Sequence, residues 1–272
     1  MVLEQVFKAQ WLERRPWHAF LLGAIYSIVG IISARIIFGS NPGMMTVAFT
    51  SLLLIPSLNK LLQDEENVEI REKKFSLKLL LKDHVDIFEI YTFLFLGIFT
   101  TFALVSILLP SASVEHLFGP QLQVIGIVGD ALAGNAIDGS TIISILLNNL
   151  VVFVVCLLLS LVYGAGAILF ITWNATVWGV VFGYLMKETA LVQSQNPLLY
   201  FAISLLPFLP HMITEALSYF SAAIVGGVVS KAVMRERVGS KKFHHIMTDA
   251  YLLLGLGLLI VVVAAIIEVE LY

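Results

Sequence analysis

Uncharged runs close to twenty residues long alternate with short polar links along most of this chain. Residues 19–38 form the first run, ended by the turn Gly39-Ser40-Asn41-Pro42-Gly43. Residues 44–58 form a shorter second, with Pro56 near its end. A charged stretch follows at 59–86, and then further runs at 87–109, 141–163 and 167–186. Residues 197–233 hold the next apolar stretch, and 251–267 the last. A helix of about 20 apolar residues spans roughly 30 Å of hydrocarbon. At about 1.5 Å per residue, 197–233 is about 55 Å of helix, too long for one crossing. Pro207 and Pro210 are its natural breakpoints, which leaves 211–233 as the crossing part. The pattern therefore predicts an all-α, polytopic transmembrane bundle of about seven helices, one of them broken, forming a single integral membrane domain.

Two links have character of their own. Within 59–86, Phe75, Leu77, Leu79, Leu80 and Leu81 alternate with Lys78 and Lys82, which predicts an amphipathic helix on the membrane surface. The central loop, 111–140, is Gly-rich and carries Glu115, His116, Asp130 and Asp138. Its middle is too short for a span, so it is expected to be interfacial or re-entrant.

Composition agrees with the pattern. Of 272 residues, 59% are apolar and only 13% charged, about half the charge a water-soluble surface carries. The first run is followed directly by another and reads as a retained span rather than a signal peptide. The single cysteine, Cys156, lies in an apolar run and reads as a packing residue. A net charge of −3, with no basic stripe interleaved with aromatics, excludes a nucleic-acid partner.

Lys and Arg set the expected orientation. With a cytoplasmic N-terminus and seven crossings, fourteen of the sixteen basic residues fall inside. These are Lys8, Arg14, Arg15, Lys60, Arg71, Lys73, Lys74, Lys78, Lys82, Lys231, Arg235, Arg237, Lys241 and Lys242, and only Arg35 and Lys187 fall outside. The C-terminus is then external, in the cell membrane. A crossing by the central loop would invert everything after it.

Polar side chains are costly in hydrocarbon and usually face the protein interior. In Leu209-Pro210-His211-Met212-Ile213-Thr214-Glu215, His211 and Glu215 share a helix face. Pro210 suits a first helical turn, whose free N–H groups and dipole would lie near His211. Broken helices of this kind bind substrates or ions in several transporters, whereas a plain His–Glu pair would simply lock the kink. Asn148 and Asn149 lie in the outer half of the fourth span and Asn174 near the middle of the fifth. Each is explained by interhelical hydrogen bonding, yet the depths allow all five residues to converge. His211 and Glu215 are too few for a metal site unless an Asn or a loop carboxylate such as Asp130 or Asp138 joins them. Arg35 is expected to snorkel to the interface or to pair with Glu215 or a loop Asp. His84, His244 and His245 read as surface histidines. Small residues at Ser221, Ala222, Ala223, Gly226 and Gly227 permit close helix packing.

Over 143–233 the chain resembles the stage II sporulation protein M family. The resemblance rests on Asn148-Asn149, Gly164-Ala165-Gly166, Trp173-Asn174, Gly179, Pro210-His211 with Glu215, and Gly226-Gly227. Ala175 and Met212 stand where that family usually has Gly. The resemblance implies a multipass bundle without established catalysis. In spore-forming bacteria the resembling protein helps assemble a membrane complex with cell-wall-degrading enzymes. Members also occur in organisms that do not sporulate, so the spore-specific role does not carry over.

No phosphate-binding loop, nucleophile elbow or catalytic carboxylate pair is present, and no cofactor is indicated. The leading expectation is a non-catalytic scaffold or accessory subunit, in contact with lipid and with other membrane proteins or copies of itself through 63–83. A transporter or channel using His211 and Glu215 comes second. An intramembrane hydrolase with Glu215 as base and His211 as orienter comes third.

Overall fold

A computed structural model describes residues 15–69, 77–132 and 139–271, with side chains over 15–62, 85–124 and 142–270. Lipid cannot satisfy backbone N–H and C=O groups, so spanning segments must satisfy them internally, as helices do. The described elements are helical accordingly: α1 (His18–Ile37), α2 (Gly43–Glu69), α3 (Leu77–Leu108), α4 (Ser111–Leu132), α5 (Gly139–Tyr163), α6 (Ile168–Val192), α7 (Pro197–Ser204), α8 (Leu209–Arg235) and α9 (Lys241–Leu271). Short 3₁₀ turns lie at Ala165–Ala167 and Leu206–Phe208. Among the described residues, seven stretches are long and apolar enough to cross a bilayer: His18–Ile37, Gly43–Leu62, Val85–Leu108, Ile142–Tyr163, Ala165–Val192, Pro197–Arg235 and Lys241–Glu270.

In the charged stretch after the second run, α2 continues to Glu69 with Pro56 inside, and α3 begins at Leu77, so residues 77–82 form the first turns of α3. Elongating a formed helix through Leu, Gln, Lys and Glu is cheaper than nucleating a new one. Arg71, Lys73, Lys74 and Phe75 lie outside the described residues. The central loop holds α4, kinked at Phe118, two residues before Pro120, where the proline ring removes a helical N–H and clashes with the preceding turn.

Contacts define two ends of the bundle. At one, the His116 ring nitrogen Nε2 donates to the Gly39 carbonyl at 2.8 Å and Gln121 Nε2 donates to that of Gly43 at 3.2 Å. Tyr184 donates to Glu115 at 2.8 Å and Ser111 donates to Glu188, so α6 finishes at this Gly39 end. At the other, the Ala165 N–H donates to Asn59 Oδ1 at 3.2 Å, and Gly164 faces both Asn59 and Lys231. The last residues of α5 therefore meet the far parts of α2 and α8. Since α3 finishes at the Gly39 end and α5 runs away from it, α4 lies between two helix ends on the same side. Gly164 adopts φ +66°, a left-handed turn that favours glycine.

α8 is the central helix, buried on most sides, whereas α5 and α9 are largely exposed. Elsewhere helices meet through their backbones. A Cβ at Gly23 would lie 2.5 Å from the Leu94 carbonyl oxygen, and one at Gly97 2.2 Å from that of Phe20, so α1 and α3 each place a glycine at the crossing. Gly179 and Gly183, four apart on α6, meet the carbonyls of Phe99 and Ala103 on α3 in the same way. Cys156 is fully buried in this packing.

Among the described residues, Lys187 is a buried cation. Only 5% exposed, its ammonium donates to the carbonyls of Leu109 at 2.9 Å and Ser106 at 3.4 Å. It thereby closes the C-terminal turn of α3, where free carbonyls favour positive charge.

Gly179→Leu is expected to force α3 and α6 apart and cost about 1–3 kcal/mol, read as a lowered thermal midpoint in detergent. Gly255→Ala, which meets nothing within 4 Å, should leave that midpoint unchanged or slightly raised. Lys187→Met should cost about 1.5–3 kcal/mol by the same measurement, because the α3 carbonyls lose a charged donor.

Candidate functional site

The break anticipated at Pro207 and Pro210 is present and sets the position of the site. Asn196 caps α7, its side-chain oxygen accepting from the N–H groups of Leu198 (3.0 Å) and Leu199 (3.2 Å), with Pro197 in the first turn. After eight residues the helix gives way to the 3₁₀ turn that contains Pro207. α8 then starts with Pro210 in its first turn. Phe182 packs on Phe208 and Trp178 lies 6.2 Å from the His211 ring. The start of α8 is thus level with 178–182, roughly 15 Å short of the last residue of α6 at 1.5 Å per residue.

From there His211, Glu215 and Tyr219 succeed one another at four-residue intervals along one face of α8, all buried. His211 Nε2 lies 3.0 Å from Glu215 Oε2. Tyr219 donates its hydroxyl proton to Glu215 Oε1. The same hydroxyl lies 3.3 Å from Asn149 Oδ1 on α5. Glu268 on α9 completes the group, with Oε2 3.7 Å from His211 Nε2 and a side chain 22% exposed. The Ala264 backbone, one turn earlier on α9, meets the imidazole as well. Three helices therefore converge on one polar cluster at the Gly39 end.

Of the residues singled out from sequence, His211, Glu215 and Asn149 come together. Asn148 is exposed and bonded only weakly to its neighbour, its Nδ2 being 3.4 Å from Asn149 Oδ1. Asn174 stays apart: its Nδ2 donates to the Phe170 carbonyl of its own helix at 2.9 Å. Arg35 is exposed and its guanidinium donates to the Gly39 carbonyl at 3.1 Å, capping α1 rather than reaching Glu215. Asp138 lies outside the described residues, as does the Asp130 side chain. Met212 is turned away from the cluster, into an apolar cleft lined by Phe95, Phe99, Ala216 and Phe220. Its side chain therefore does not crowd His211.

Glu268 and Tyr219 are the residues that the sequence reading missed. Both carry a signal: Tyr219 continues the four-residue spacing, and Glu268 follows the last apolar run directly. An antiparallel α9 brings the end of that run beside the start of α8. His, Glu and Glu together offer one nitrogen and several carboxylate oxygens, a donor set able to share a proton or hold a cation.

Neither the curated proteins nor the solved structures contain a match to the chain. A family model does match, that of Stage II sporulation protein M, over residues 90–270. The matched region runs from within α3 to the end of α9 and includes every residue of the cluster. With two thirds of its length covered, the chain belongs to the Stage II sporulation protein M family, and with its seven apolar helices it is a membrane protein.

Proposed function

We propose that the chain is a non-catalytic multipass scaffold or accessory subunit of a membrane complex, with the N-terminus and the Gly164 end in the cytoplasm. The observation that carries this reading is the convergence of three helices on one polar cluster. His211, Glu215, Tyr219, Asn149 and Glu268 are brought together from α5, α8 and α9. Such a group clamps three helices together. The tight backbone crossings of α1 with α3 and α3 with α6 favour a stiff body over a rocking one. α5 and α9 turn large apolar side chains outward, among them Leu147, Val151, Leu158, Leu259 and Ile266. That surface suits lipid tails, another membrane protein or a second copy of the chain. The orientation follows from charge, since Lys60, Lys231, Arg235 and Arg237 gather at the Gly164 end.

A partner contact through the charged segment follows. Reversing Arg71, Lys73 and Lys74 to Glu is expected to strip specific membrane proteins from an affinity-purified sample while the chain still inserts. An unchanged set of partners, read by mass spectrometry, would count against the scaffold.

The transporter reading draws on the broken start of α8 and the partly exposed Glu268. In proteoliposomes, proton and cation flux is expected to match that of protein-free vesicles, for wild type and for His211→Ala alike. A flux abolished by His211→Ala or Glu215→Gln would move the assignment to transport.

A further inference from the structure

The cluster on α8 and α9 has the chemistry of a metal site, an inference that stands whether or not the chain acts as a scaffold. One ligand-type atom from each of His211, Glu215 and Glu268 lies within 4.8 Å of the others. Around a tetrahedral zinc-like ion, with metal–ligand distances of about 2.0–2.2 Å, neighbouring ligand atoms sit about 3.4 Å apart. The His211–Glu215 and His211–Glu268 separations of 3.0 Å and 3.7 Å bracket that spacing. We propose that His211, Glu215 and Glu268 bind one divalent transition-metal ion of the zinc class, tying α9 to α8.

Charge balance argues for it. Both carboxylates pair with the same imidazole, and one imidazolium neutralises only one of them. In a largely buried setting an uncompensated carboxylate is costly. A divalent cation held by two carboxylates and a neutral imidazole leaves no net charge. The donor set also selects among cations. Imidazole nitrogen suits zinc and its transition-metal neighbours, whereas calcium and magnesium prefer all-oxygen shells with more ligands.

The surroundings are arranged as metal ligands require. A ligating histidine normally has its second nitrogen held by a backbone carbonyl or carboxylate, and ligating carboxylates are held in turn by hydrogen bonds. Here the Ala264 backbone lies near the His211 ring, whose buried Nδ1 closes no hydrogen bond of its own. Tyr219 holds the Glu215 oxygen that does not face His211. Independently, Asn149 is 2% exposed, and its Nδ2 is aimed at Glu268 without closing a hydrogen bond. A modest turn of Glu268 toward a shared ion would bring that amide into play. Helix α5 would then hold the site without supplying a ligand.

The test uses full-length protein purified in detergent without a polyhistidine tag. The protein is equilibrated with zinc chloride, desalted and analysed by mass spectrometry for metal. About one zinc per chain is expected for wild type, with at least a tenfold loss of affinity in His211→Ala and in Glu268→Gln. Glu268→Gln keeps shape and sits at a partly exposed position, so its folding is secure even if Glu215 variants fail. Cobalt substituted for zinc should give the intense visible bands of a tetrahedral site in wild type and lose them in Glu268→Gln. Zinc should also raise the thermal midpoint of wild type over a chelator-treated sample, and leave that of Glu268→Gln unmoved. Zinc retained equally by wild type and both variants places the metal elsewhere, as at His244 and His245, and overturns the proposal. Wild type that holds no zinc above His211→Ala overturns it too, leaving a proton-sharing triad.

Discussion

A helix surrounded by lipid tails gains nothing hydrophobic by exchanging them for another apolar helix. Whatever holds this bundle together must come from closeness of approach or from polar groups with nowhere else to turn. Both devices are present, in different places. The α1–α3 and α3–α6 crossings rely on closeness, with glycines that let one helix rest on the carbonyls of the next. Around α8 the polar device takes over at the Gly39 end, and small residues such as Gly226, against the Leu157 carbonyl of α5, serve nearer the other. Dispersion gains from such contacts are individually slight and act only when surfaces touch over a long stretch. That dependence explains why α8 is buried nearly all round while α5 and α9 are covered on one side only.

The two buried ionic devices do different work. Lys187 finishes α3 by binding carbonyls that the helix itself cannot satisfy, so it belongs to the architecture. The His211 cluster satisfies no helix end. It joins side chains from three helices, and its members are drawn from positions far apart in the chain. A cluster of that kind is expensive to maintain in a low-dielectric surrounding, and its presence needs either a mechanical or a chemical reason. Clamping α5, α8 and α9 is the mechanical one, and holding a cation is the chemical one that the donor atoms allow.

Much of the fold could be read from the letters because the signals are long. Seven apolar runs each involve many residues acting together, and the prolines at 207 and 210 are strong local breaks. The site was legible only in part. His211 and Glu215 declared themselves by spacing on one helix, and Asn149 by its depth. Glu268 did not, since nothing local distinguishes it from an ordinary acidic residue after a span, and its role arises from the antiparallel return of α9. Asn174 and Arg35 show the reverse. Both were plausible by type and depth, yet each bonds to its own helix or turn, because a nearby carbonyl is reached with less loss of side-chain freedom than a distant partner. In the charged stretch, alternation of Leu and Lys signals a helix but does not say whether it is separate or continuous with its neighbours, and residues 77–82 are continuous with α3.

The wide separation of the cluster's members along the chain bears on how the protein is made. Asn149 precedes its hydroxyl partner Tyr219 by 70 residues, and Glu268 emerges later still. Until α8 follows, Asn149 lacks the Tyr219 hydroxyl beside its Oδ1. Until α9 follows, His211 and Glu215 lack the neighbouring Glu268 carboxylate. The cluster is therefore assembled only by the last helix to be made.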